Sequence, residues 1–210
     1  ERHLSSETLS MKKIVLASGN KGKLVELNAI LADEGVELLP QSEFGVSDAD
    51  ETGLSFVENA LIKARHACLE TGLPAIADDS GIEVDALNGQ PGIYSARYAG
   101  GHGAEADQDN NDKLLKELEQ VAEQDRTARF QCVIVYLRYA EDPMPLVCQG
   151  TWEGRILTAE SGGNGFGYDP LFYVADYDCA SAELDPETKN SISHRGQALR
   201  QLLKCWNSLR

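Results

Sequence analysis

Apolar and polar positions follow clear periods over most of the chain. Residues 12–17 turn from basic to continuously apolar and predict a buried strand, followed by a Gly-Asn turn and a helix with Leu24, Leu27, Asn28 and Leu31 on one face. Over residues 55–71, Val57, Ala60, Leu61, Ala64 and Cys68 keep the helical interval, Phe56, Asn59 and Lys63 mark another face, and Gly72 with Pro74 stops the helix. Residues 75–78 and 82–84 read as two short strand pieces flanking a polar D-D-S-G bend, which presents two carboxylates at a strand end.

Residues 107–123 predict a charged, Leu-bearing helix. Residues 128–139 and 146–152 predict two long strands joined by a turn around Asp142, Pro143 and Pro145, an antiparallel hairpin. A glycine-rich segment, a short strand at 171–174 and a last helix complete the chain; Ala198, Leu199, Leu202, Leu203 and Trp206 form the helix's buried stripe. Residues 1–10 are polar, precede Met11 and read as a leader or dispensable extension, so 11–210 is expected to be one two-lobed domain.

Composition narrows the class. A chain of 210 residues can bury a core without staples. Its formal net charge of -15 would repel a polyanion, which argues against a nucleic-acid partner, although a few converging Lys and Arg can still hold a small phosphate ligand. The five cysteines, at 68, 132, 148, 179 and 205, form no C-x-x-C pair, which suits a reducing cytoplasm. No apolar run approaches a membrane span.

Four segments carry candidate chemistry. Ser18, Gly19, Asn20, Lys21, Gly22 and Lys23 lie between the first strand and helix, where free N–H groups and the helix dipole suit phosphate; a tight turn with an Asn cap explains the same residues. Asp78 and Asp79 suit Mg2+, or else form a turn in which one Asp caps the bend; the acidic run Asp48, Asp50 and Glu51 could supply a further ligand, or is a solvated loop. Residues 162–170 mix glycines with Phe166 and Tyr168, which suits stacking on a flat ligand or a loop whose rings serve the core. Ser193, His194 and Arg195 open the last helix, where a basic pair opposes the dipole and favours a ligand-facing role. His66, mid-helix, reads as structural or exposed, and His102 sits in a Gly-rich loop.

Together, S-G-N-K-G-K at 18–23, F-x-E-N-A-x-x-K-A at 56–64, A-D-D-S-G at 77–81, P-G-I-Y-S-A-R-Y at 91–98, F-G-Y-D-P at 166–170 and K-N-x-I-S-H-R at 189–195 form an ordered set. It closely resembles the inosine triphosphate pyrophosphatase family, in its bacterial dITP/XTP branch, over residues 11–203. The resemblance implies a two-lobed α/β fold around a long central mixed β-sheet flanked by helices, with the active-site cleft between the lobes. It also implies a homodimer, a divalent metal such as Mg2+, and hydrolysis of free deaminated purine nucleoside triphosphates to monophosphate and pyrophosphate. Carried over by motif, Ser18, Asn20, Lys23 and Lys63 would hold phosphates, with Gly19, Lys21, Gly22 and Ser80 beside them. Asp79 would be the general base, and Asp50 or Glu51 with Asp78 or Asp79 would hold the metal. Phe166, Gly167, Tyr168, Asp169, Lys189, His194 and Arg195 would recognise the base. Ser18 stands where many relatives have Thr, and Asp50 belongs to a pair often written Glu-Glu, which leaves the ligand in that pair open. A nucleotide-sensing module, or a pyrophosphatase for a modified pyrimidine, would use similar parts.

Overall fold

Seven strands form one mixed sheet in the order β2-β1-β3-β4-β5-β6-β7 in the computed structural model, which describes residues 12–31, 34–101 and 105–207. The strands are β1 (Lys12–Leu16), β2 (Val36–Pro40), β3 (Ala75–Val84), β4 (Thr127–Leu137), β5 (Leu146–Ile156), β6 (Phe172–Val174) and β7 (Cys179–Ala180). The helices are α1 (Lys21–Leu31), α2 (Phe56–Thr71), α3 (Ala106–Glu117), α4 (Pro186–Ile192) and α5 (His194–Asn207). β1 pairs parallel with β2 and β3, and every other pairing is antiparallel, so the expected α/β class with a mixed sheet holds. Residues 1–10, which read as a leader, and His102 lie outside the described residues, as does the side chain of Trp206.

The main departure from the sequence reading concerns D-D-S-G. β3 does not break there: it pairs with β4 without interruption from Ala75↔Leu137 to Val84↔Ala128. Carboxylates usually end a buried strand because they need water; here basic side chains from both faces of the sheet supply the missing solvation, so the ladder continues through them. Other corrections are smaller. Asn28 is exposed, off the buried face of α1 marked by Leu27 and Leu31. α3 ends at Glu117, short of 123, as the Leu118 N–H bonds back to Leu114 and a turn follows. β5 runs on past Trp152 to Ile156, where Arg155 and Ile156 pair with β6. The edge strands β2 and β7 and the short α4 were not anticipated; each is brief and defined by its neighbours rather than by its own periodicity.

The hairpin and the long helices follow local chemistry. Asp142 is buried in the β4–β5 turn, accepting from the backbone N–H of Arg138 and of Met144, each at 3.0 Å. α2 opens on Ser55, whose side chain accepts from the Glu58 N–H, and closes on left-handed Gly72. Ala60, Ala64 and Ala67 are fully buried against the sheet, so α2 lies close upon it.

Among the described residues three apolar clusters make the core. At one end of the long strands Ile76, Ile134 and Leu202 belong to a cluster with α1 and α5, while Ala77, Val135 and Ala64 belong to another with α2. Toward the opposite ends of β3 and β4, Ile82, Phe130 and Phe172 pack with Leu114 of α3. Asp78, Asp79 and Ser80 lie between these clusters along β3.

Candidate active site

β1 delivers the chain to Ser18–Lys23. Asn20 caps α1, its side-chain oxygen accepting from the Lys23 N–H at 3.1 Å, while the Ser18 hydroxyl accepts from the Asn20 N–H at 3.1 Å. The capping explanation therefore holds for Asn20, and the loop is pre-shaped by it. The first turn of α1 has no acidic residue, which leaves its dipole free to attract an anion. Lys23 reaches β3, its ammonium 3.1 Å from Asp78 Oδ1.

Because successive residues of a strand point to opposite faces, Asp78 and Asp79 diverge. Asp78 turns to the α1 and α5 side, fully buried, with Arg195 donating from Nε and Nη2 to its Oδ2 at 3.2 and 3.1 Å. Burial works against its charge, but Lys23, Arg195 and Lys63 outweigh it and hold the carboxyl far below the usual aspartate range. Asp79 turns to the α2 side, where Lys63 donates to its Oδ1 at 2.8 Å. Its Oδ2 is buried without a hydrogen-bond partner. Burial pushes the Asp79 carboxyl above the ordinary value despite Lys63, and Glu51 adds to the rise.

Lys63 also reaches Glu51 at 3.2 Å, and Glu51 lies 3.6 Å from Arg97. Burial alone would lower the Lys63 ammonium; Asp79, Asp78 and Glu51 reverse that and raise it. Among the described residues no three His, Cys, Asp or Glu side chains converge as a metal cage. Of the four proposed ligands, Glu51 and Asp79 share Lys63 and line the cleft, Asp78 is spent on Lys23 and Arg195, and Asp50 is exposed and outside the cleft lining. An orphaned oxygen on Asp79 and a neighbouring carboxylate fit an ion that takes one or two protein ligands and completes its shell with water and phosphate.

The glycine-rich segment brings Phe166 against α1. A Cβ on Gly22 would stand 2.6 Å from the Phe166 ring, so only glycine permits this approach. Lys189 Nζ and Arg195 Cζ lie 5.2 and 5.7 Å from the centre of that ring. Tyr168, by contrast, is buried in the α3 cluster and donates its hydroxyl to the Ser95 carbonyl at 2.7 Å. Of the two proposed stacking rings, Phe166 is the less committed.

The basic residues near the last helix are similarly engaged. Lys189 donates to Asp169 at 2.7 Å and to Glu26 at 3.0 Å, and Arg195 donates to Glu26 as well as to Asp78 and Ser80. Arg195 therefore does not project freely beyond the helix; its guanidinium is largely taken up by fixed partners, which explains how a cation is tolerated at a helix start. His194 stacks on Phe130, ring centres 4.7 Å apart, and its buried Nδ1 has no partner. Burial, with repulsion from Arg195 and Lys189, drops its pKa well below the ordinary value and keeps the imidazole neutral.

All the proposed residues except Asp50 and Asp78 line one cleft of about 730 Å³, a volume suited to a nucleotide-sized ligand. Gly19 and Lys21 are exposed on its rim, while Ser80, Gly167 and Asp169 lie along its wall. Sequence reasoning assigned no role to Glu26, Ser95, Arg97, Asp107 or Phe130; Asp48, named there only within the acidic run with Asp50 and Glu51, also lines the cleft. Ser95 and Arg97 stood within the quoted P-G-I-Y-S-A-R-Y motif, whereas Phe130 and Asp107 carried no local signal. His66 bonds to the Ser47 carbonyl at 3.0 Å, outside the cleft.

Fold and site define the class: a mixed-sheet α/β protein with a charged cleft lined by the middle of β3 and by Phe130 of β4. Within that class the chain belongs to the Ham1 family, whose model matches residues 14–205. A dITP/XTP pyrophosphatase of Vibrio parahaemolyticus is 62% identical over 192 residues, spanning 91% of this chain and 95% of its own. The solved structure of a HAM1 protein from Coxiella burnetii superposes with a TM-score of 0.86 at 52% identity, covering 94% of this chain and 100% of that one. The Staphylococcus aureus Ham1 protein gives 0.81 at 42% identity, covering 95% and 100%.

Proposed function

We propose that this chain hydrolyses deaminated purine nucleoside triphosphates, ITP, dITP and XTP, to the monophosphate and pyrophosphate, and so keeps them out of DNA and RNA. The observation that carries the reading is that Lys23, Lys63 and Asp79 line a single cleft together with Phe166 and His194. The name of the Vibrio relative supports dITP and XTP among these substrates.

Lys63 orients the Asp79 carboxylate through Oδ1, leaving Oδ2 to accept a proton from water as that water attacks phosphorus and the pyrophosphate departs. A carboxyl whose pKa is raised by burial is a better base near neutral pH than an ordinary aspartate. Lys23, Lys63 and the α1 N-terminus offset the charge of the triphosphate. Glu51 would hold a Mg2+ ion, with the Asp79 carboxylate beside it as the base; when bound, the ion would supply further charge neutralisation and activate water.

Phe166 stacks on the base. A neutral His194 carries one ring N–H that can be donated to the 6-oxo group of hypoxanthine or xanthine, and Lys189 adds ammonium donors. An adenine 6-amino group leaves such donors unpaired, a mismatch worth on the order of 10⁴ in discrimination where the site is built to bond an oxygen. The family resemblance further supports a cytoplasmic homodimer, for which light scattering of the purified protein is the check.

With Mg2+, the protein is expected to release pyrophosphate from ITP, dITP and XTP much faster than from ATP, GTP, dUTP or methylated pyrimidine triphosphates. Equal rates across the panel remove the specificity. Calorimetric binding of ITP with no pyrophosphate released makes the chain a sensor instead.

A further inference from the structure

Gly167 is held on both sides by one face of α3. Its N–H donates to Asp107 Oδ2 at 2.8 Å, and its carbonyl accepts from Asn111 Nδ2 at 3.2 Å. Asp107 and Asn111 are four residues apart, one helical turn, so a single rigid element makes both contacts. Asn111 is nearly fully buried and is itself steadied by Glu160, whose carboxylate accepts from the same Nδ2 at 3.0 Å.

The neighbouring amide is spent as well: Phe166 N–H donates to Asp169 Oδ2 at 2.9 Å. Consecutive N–H groups of a glycine-rich loop commonly cradle phosphate, but here those of Phe166 and Gly167 both point at carboxylates. What the loop offers to a ligand is the Phe166 ring. Gly165 and Gly167 both have positive φ, 80° and 60°, in a segment with two further glycines just before it. Such backbone has wide conformational freedom unless held, so the position of the ring against Gly22 depends on outside contacts.

We infer that Asp107 and Asn111 are positioning residues, clasping Gly167 so that Phe166 is presented to the base at a fixed height above the first turn of α1. The inference rests on the reading of Phe166 as the stacking ring. Asp107 also stands in the first turn of α3, where any carboxylate favours the helix dipole. That bland role is separable, because asparagine in its place keeps an oxygen acceptor for the Gly167 N–H but loses the charge.

Two measurements on Asp107→Ala, Asp107→Asn and Asn111→Ala decide the matter. In steady-state kinetics with ITP and Mg2+, Asp107→Ala is expected to raise KM roughly tenfold with a much smaller change in kcat, the scale of one lost hydrogen bond. Asp107→Asn is expected to restore KM to near the wild-type value. Amide hydrogen exchange of the Gly167 N–H, followed by NMR without substrate, should accelerate in Asp107→Ala, remain slow in Asp107→Asn, and accelerate in Asn111→Ala through loosening of the carbonyl side. An unchanged KM and unchanged Gly167 exchange in Asp107→Ala overturn the inference, as does Asp107→Asn behaving like alanine in both. If the wild-type protein leaves ITP intact, the functional reading fails on its own, while the exchange measurement still reports whether the clasp exists.

Discussion

Asparagine substitutions at Asp78 and Asp79 are expected to give two different phenotypes, because one carboxylate is spent on structural partners and the other keeps an oxygen free. Asp78→Asn leaves the buried Arg195 and the half-buried Lys23 without their shared counter-charge and should lower unfolding stability by about 3 kcal/mol in urea titrations. Since its folded pKa is depressed, the Asp78 contribution is fully present above ~4, the ordinary aspartate value, and is lost as pH falls through the lowered one; the gap between wild type and variant should close in acid. Asp79→Asn removes a charge that burial already disfavours, so its stability cost should be smaller, yet turnover should nearly vanish. Full activity in that variant places the base elsewhere. With Asp79 as base, protonation silences the enzyme as pH falls. In the metal-free protein an NMR titration of the Asp79 carboxyl should have its midpoint above ~4, the ordinary aspartate value, and a midpoint at or below it argues against the raising effect of burial. At this scale the sequence marked both aspartates and missed how they divide. D-D-S-G named both aspartates, but their opposite orientation depends on an unbroken strand, and that depends on Lys23, Arg195 and Lys63 arriving from distant helices.

Helices carry those cations to the sheet, and their starts are where small changes should register. Ser55 caps α2, with Glu58 accepting in turn from the Leu54 N–H at 3.0 Å. Ser55→Ala should cost about 1 kcal/mol, lowering Tm by roughly 2–4 °C in a chain of this size. Gly22→Ala tests a conflict between levels. Alanine favours an α1 helix by up to about 1 kcal/mol over glycine, but its methyl would occupy the space of the Phe166 ring. The variant is expected to hold or gain thermal stability while KM for ITP rises severalfold; an unchanged KM would show that the ring does not serve the base. Long helices and the hairpin were readable because their periodicity and caps are local. Edge strands β2 and β7 were not, since five and two residues respectively hold too little pattern and take their form from pairing. Phe130 likewise looked like any strand aromatic until α5 set His194 upon it, a meeting that Gly150 makes possible: a Cβ there would lie 2.9 Å from the His194 carbonyl carbon.

For the whole molecule, the net charge of -15 and the lysines of the cleft pull a triphosphate in opposite directions. The overall field extends about a Debye length and is screened by salt, whereas contacts inside the cleft are screened far less. Raising ionic strength from low to physiological values should therefore increase kcat/KM for ITP, measured at fixed free Mg2+. A steep fall would mean that attraction by the cleft governs encounter. Composition alone showed the repulsive half of this balance; the attractive half required the fold, because Lys23 and Lys63 are forty residues apart in sequence and meet only through β3.

That strand has one more consequence. A single peptide bond separates a carboxylate that anchors the scaffold from one that opens into the cleft, and the plane of the sheet stands between them. With Asp79 as the proposed base, protons would come and go on the cleft face while Asp78, held by Lys23 and Arg195, keeps its charge on the other. The partition is partial, because Lys63 acts on both carboxylates.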